Sequence, residues 1–196
     1  MMSAASSLAE IPERLEKVFK SDDIHSTNGI SNSGIYALNF YALMMPVTVT
    51  IDDRLPFEYE GNPFFAKPGY DKSVWGPLLE KAFAKFHGSY EALAWGSPLN
   101  ALNTLAGAPG HRVPHPSKNA TDLWYYLRWL DSTEINALVS VSNWYTEENG
   151  LMTTHIYTFL KVVELSDGTK LVQLRNPYGI EGYYGPWSDK SELWTE

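Results

Sequence analysis

The feature that most constrains this chain is a change of hydrophobic period along its length. Val74, Trp75, Leu78, Leu79, Ala82, Phe83 and Phe86 form one broad apolar stripe at helical spacing, with Ser73 placed as an N-cap. Leu8, Ile11, Leu15, Val18 and Phe19 recur at three- and four-residue steps, which predicts a helix over 3–19 with Pro12 near its start. Further helices are expected over Pro98–Ala106 and from an Asn119 cap through Leu130, the latter turning Leu123, Trp124, Leu127 and Leu130 inward. Beyond Asp131 the pattern becomes that of strands: 135–144, 151–165 and 171–175, the last two joined by an Asp167-Gly168 turn. An earlier hairpin is expected from Ile35–Tyr41 and the clean alternation of Val47–Ile51, joined through Met44-Met45-Pro46. Helices and antiparallel strands in separate runs imply an α+β chain.

Composition narrows the function classes. At 196 residues the chain can bury one sizeable core, and seven Trp, twelve Tyr and eight Phe argue against disorder. A net charge of −8 leaves no electrostatic footprint for nucleic acid or an anionic membrane. The longest apolar stretch, 36–51, is interrupted by Asn39, Pro46 and two Thr, so no membrane insertion is expected. Residues 1–7 lack the basic start and apolar core of a signal peptide, and the cytoplasm is the expected location. The chain has no cysteine, which excludes disulfides, Cys-ligated zinc and any thiol chemistry by these residues alone.

His155 stands apart from the other histidines. His25, His111 and His115 fall in polar or Pro-rich loops and His87 ends a helix, the settings of solvated side chains. His155 lies in a strand beside Ile156, Tyr157 and Phe159. With Leu165 opposite Lys170, Asn176 falls opposite Phe159, on the same sheet face as His155 but ~13 Å along the strand. A bulge or bend would have to close that gap, and Pro177 ends the strand there. An imidazole oriented by a neutral amide is suited to serve a thiol nucleophile, because the amide adds no charge to compete with a thiolate–imidazolium pair. Ser142 and Thr154 are poor nucleophiles for it, Thr154 because adjacent strand residues face opposite ways. Asp52-Asp53 reads as a solvated turn pair, Glu147-Glu148 as an exposed loop, and Trp124, Tyr125, Tyr126 and Trp129 as helix packing.

These residues, taken with their order, resemble the catalytic core of the calpain-type cysteine proteases. Ser3–Glu10 with Pro12-Glu13-Arg14 and Phe19 looks like the helix that begins at that family's nucleophile. Gly34–Tyr41 and Thr48–Pro56 resemble its first strands, and Trp75–Lys85 with Gly88–Leu93 is the most specific stretch. Thr154–Thr158, Arg175–Gly179 and Trp187-Ser188-Asp189 follow in the expected order.

The resemblance implies a papain-like α+β fold in two lobes and peptide hydrolysis by a Cys/His/Asn triad. His155 would be general base and acid, Asn176 its orienter, and Trp187 or Tyr178 a shield for their hydrogen bond. Residues 1–33 would be a remnant of the Cys-lobe helix and linking loop, and 34–196 the His/Asn lobe. The family's Gly-Asp-Cys-Trp signature and its oxyanion glutamine would lie upstream of Met1. Thr154 and Ile156 stand where the family usually has Gly and Ala, and Tyr178 where Trp is usual. Calcium is the family's cofactor; Asp189 matches an acidic ligand, and Glu181 stands beside Gly182, where Glu is common. Further ligands would lie past Glu196, so calcium binding by these residues alone is not expected. The expected function is a fragment of a calpain-like endopeptidase acting on protein or peptide substrates, which needs a Cys-bearing segment to complete it. The alternative is a non-catalytic relative that binds or regulates.

Overall fold

A computed structural model describes residues 1–20, 31–94, 96–114, 119–132, 137–143, 147–180 and 182–194. They form helices and antiparallel sheets, the expected α+β class. The chain packs as two compact units, Met1–His111 and Arg112–Glu196. This packing boundary and the division expected after residue 33, which assigns stretches to lobes of a protease, are different boundaries.

In the first unit the expected helix over 3–19 is two helices, α1 (Met2–Ala9) and α2 (Pro12–Glu16). Pro12 is too far from the start to be harmless: it lacks an N–H, and it drives Ile11 to an extended φ of −121° and ψ of 106°. The small residues Ser3, Ala4, Ala5 and Ser7, with Leu8, bury one face of α1. Strands β1 (Ile35–Ala42) and β2 (Met45–Asp52) pair from Ile35↔Asp52 to Ala42↔Met45. Their turn is Leu43-Met44, both at positive φ (48° and 66°), rather than the expected Met44–Pro46. The other edge of β1 is engaged by Lys20 N–H to the Ala37 carbonyl (2.8 Å) and Asn39 N–H to the Val18 carbonyl (2.6 Å).

Helix α3 (Trp75–His87) lays Leu79, Ala82 and Phe83 into the core, and Phe40 meets the rings of Phe83 and Phe86 edge-on at 5.6 Å. Two lysines one turn apart then tie α3 to β2: Lys85 donates to the Thr50 carbonyl (2.7 Å), Lys81 to the Asp52 carboxylate. Ser73 does not cap this helix; Val74 occupies that position, and the Ser73 N–H donates to the Asp71 carboxylate (2.9 Å). Helix α4 spans Pro98–Ala106 as expected and ends on Gly107 at φ 62°, where a Cβ would lie 2.6 Å from the Tyr41 ring.

In the second unit, α5 (Ala120–Leu130) begins at Asn119, whose side-chain Oδ1 accepts the Asp122 N–H at 2.8 Å. Of the residues expected to face inward only Trp124 is fully buried, and Tyr125 and Trp129 are exposed. The sheet runs β3 (Ser140–Asn143), β4 (His155–Glu164), β5 (Lys170–Arg175), with β4 central. Part of the strand expected over 135–144 lies outside the described residues. The strand expected from Leu151 begins only at His155, because Thr154 sits at φ 55°, outside strand geometry. The β4–β5 turn is formed by Asp167-Gly168 as expected, with Glu164 opposite Lys170. No helix among the described residues is long and apolar enough to cross a membrane.

Candidate active site

The β4–β5 register brings the histidine and the asparagine together. Pairing slips at Leu160, between Phe159↔Leu174 and Lys161↔Gln173, so one residue bulges from β4. That slip and the one-residue difference in turn register bring Thr158 opposite Arg175, and leave Asn176 closer to His155 than the expected pairing with Phe159. The His155 Nε2 and Asn176 Oδ1 atoms are 2.8 Å apart.

The amide of Asn176 is fixed from both ends. Its Nδ2 donates to the Ile180 carbonyl at 3.0 Å, and its Oδ1 also accepts the Tyr178 N–H at 3.1 Å. Oδ1 therefore faces the ring as an acceptor, and His155 must be the donor. A neutral imidazole that donates through Nε2 carries its lone pair on Nδ1. This geometry selects one tautomer and leaves Nδ1 as the basic atom.

His155 is nearly enclosed, at 8% exposure. Tyr157 meets its ring edge-on at 4.8 Å, and Tyr178 lies tilted against it at 4.5 Å. Of the two aromatic residues expected as shields, Tyr178 touches the imidazole, while Trp187 packs edge-on against Trp194 at 4.9 Å. The backbone before His155 makes two left-handed turns. Asn149 (φ 50°) and Gly150 (φ 82°) close a tight turn, with Leu151 N–H donating to the Glu148 carbonyl at 2.9 Å; Thr154 follows at φ 55°.

Sequence reading missed Tyr157. Its hydroxyl accepts the Met152 N–H at 2.9 Å, which ties the stretch before His155 to the strand after it. The signal was present, since a residue two along a strand shares the face of the first.

The other candidates among the described residues do not join this pair. Asp189 is exposed, Glu181 lies outside the described residues, and no three His, Asp or Glu side chains converge among the described residues. Asp52 accepts the Arg54 N–H at 2.8 Å and pairs with Lys81; the bond to Lys81, then that to Arg54, holds its carboxyl below the usual range. It is a turn and ion-pair residue. His87 bonds the Phe83 carbonyl at 3.0 Å from the end of α3, His111 is exposed, and His25 and His115 lie outside the described residues.

Comparison with known proteins places this sequence among relatives. The sequence matches the calpain family of cysteine proteases over residues 1–196. It is 36% identical over 194 residues to the calpain-type cysteine protease ADL1 of Oryza sativa subsp. japonica, covering 93% of this chain and 9% of that protein. It is 34% identical over 168 residues to human calpain-14, covering 83% of this chain and 24% of that protein. With calpain clp-1 of Caenorhabditis elegans the identity is 32% over 204 residues, 99% of this chain and 25% of that protein. The chain thus spans a quarter or less of the length of these relatives.

Proposed function

Because the chain belongs to the calpain family of cysteine proteases, we propose that it carries the histidine and asparagine of a peptide-hydrolysing centre whose thiol comes from sequence outside these 196 residues. The supporting observation is the 2.8 Å contact between His155 and Asn176, with the amide held so that Nδ1 of the ring is the basic atom. Nδ1 takes the proton of the incoming thiol, and the thiolate sulfur attacks the substrate carbonyl carbon. The imidazolium then gives that proton to the leaving amine as the C–N bond breaks. His155 next accepts a proton from the water that hydrolyses the thioester. Asn176 stays neutral throughout and keeps Nε2–H engaged.

In this reading α1 is the tail of the helix that bears the nucleophile, and packing supports moving the lobe boundary from 33/34 to 111/112. The substrates are proteins or peptides, and the setting is cytoplasmic. The family's calcium enters no step of this reading, and the residues expected to meet it are Asp189 and Glu181.

The test is to fuse a Cys-bearing upstream segment from a family member and assay peptide cleavage. Cleavage that disappears in H155A supports the reading; cleavage unaltered in H155A sinks it. A second reading, a non-catalytic relative that binds or regulates, is favoured by the strained Thr154 next to the histidine. It is supported if the fused protein folds with the His155–Asn176 contact intact yet cleaves nothing.

A further inference from the structure

Thr154 is held in a conformation that costs a β-branched residue free energy, so the surrounding structure has to impose it. Strain of this kind relaxes unless neighbouring bonds prevent it. One bond that spans the turn runs from Met152 N–H to the Tyr157 hydroxyl at 2.9 Å. It links a residue before Thr154 to one after His155, and so closes a ring of chain around the turn and the histidine. The same side chain is 6% exposed and sets its ring edge-on to the imidazole at 4.8 Å.

We propose that Tyr157 is a positioning residue, whose hydroxyl holds the left-handed Thr154 turn closed and thereby keeps His155 Nε2 on Asn176. The role rests on the reading of His155 as the base, but its geometry is tested without catalysis. Without the hydroxyl, Thr154 relaxes toward negative φ, the Cα–Cβ direction of His155 turns, and the 2.8 Å contact lengthens. The ring then loses its preference for protonation at Nε2. A residue that adopts positive φ at no steric cost needs no such clasp, so replacing Thr154 by glycine removes the dependence on the hydroxyl.

The experiment is long-range side-chain nitrogen NMR of histidine on the labelled 196-residue chain, at a pH where imidazole is neutral, with amide hydrogen exchange alongside. The wild-type chain should show His155 protonated at Nε2 alone. Y157F should give averaged nitrogen shifts of mixed tautomers and about fivefold faster exchange at Met152, as expected when one neutral hydrogen bond is lost. Y157F/T154G should return the nitrogen shifts to those of the wild type while the Met152 amide stays fast. A merely structural tyrosine would not be rescued at the imidazole by a change of backbone freedom at residue 154. Y157F with unchanged shifts overturns the proposal, as does a folded double variant with mixed tautomers. Should Y157F alone not fold, the double variant must; failure of both to fold also overturns it. A wild-type chain with mixed tautomers would instead count against the assignment of Asn176 as orienter in the proposed function.

Discussion

The histidine and the asparagine reach one another from turns built in opposite ways. Asn176 stands in a turn whose residues suit their positions. Pro177 follows it, Gly179 takes φ 70°, and Gly179 N–H donates to the Asn176 carbonyl at 3.1 Å. The same asparagine then spends its side chain on Tyr178 N–H and the Ile180 carbonyl, so the turn and the amide fix each other. His155 instead follows a threonine at φ 55°, a geometry that the local sequence disfavours. One partner is placed by local chemistry, the other by bonds that reach across the turn. The difference teaches where the pair is vulnerable: the amide is hard to misdirect, and the imidazole depends on its supports.

The largest expected effect removes the self-fixed partner. In a protease completed by a fused Cys-bearing segment, N176A leaves Nε2–H without its acceptor and frees the tautomer. Cleavage should fall by about 10²-fold or more, within the usual worth of correctly held acid–base catalysis. Single-turnover peptide cleavage measures it. An unchanged rate would mean that the two tyrosine rings alone orient the imidazole, and the contrast between the turns would have no catalytic meaning.

Next comes the backbone that supports the histidine side. A Cβ on Gly150 would lie 1.7 Å from the Gly182 carbonyl oxygen, and the residue sits at φ 82°. Two backbone segments meet there, with Tyr184 N–H donating to the Asn149 carbonyl at 2.9 Å. Neither can yield as a flexible side chain would. G150A should cost about 3 kcal/mol or more, read as a lower urea midpoint. On the asparagine side, Gly179 has open space around its missing Cβ. G179A meets only the backbone penalty of positive φ, about 1–2 kcal/mol. Equal losses from the two substitutions would erase the distinction between crowding and conformation.

How much of this was legible beforehand follows the same division. Asp167-Gly168, the Asn119 cap and the α4 boundaries were read correctly, because each depends on local residue chemistry. The shared face of His155 and Asn176 was legible from strand alternation, but their contact depends on the slip at Leu160, which no residue there announces. Leu43-Met44 shows the same limit: two apolar residues take the positive φ values of a turn that favours Asn-Gly, because the β1–β2 register demands it. Asn149-Gly150, by contrast, carries the proper residues for such a turn. The helix over 3–19 failed for a simpler reason, since Pro12 lies beyond the first turn, where its missing donor and its ring both matter.

The smallest expected effect has the opposite sign and probes the contrast most directly. T154G exchanges an exposed β-branched side chain at φ 55° for a residue that accepts positive φ freely. Relief of the left-handed penalty is about 1–2 kcal/mol. Glycine gives back roughly 0.5–1 kcal/mol through the greater freedom of the unfolded chain. The net is a gain of about 0–1.5 kcal/mol, centred on roughly 0.7 kcal/mol. Urea unfolding of T154G should therefore show a raised midpoint with an unchanged slope, since no surface is newly exposed. A lowered midpoint would mean that Thr154 repays its own strain through its side chain. The histidine side of the pair would then be as self-sufficient as the asparagine side, and the dependence of His155 on the Tyr157 hydroxyl would lose its physical cause.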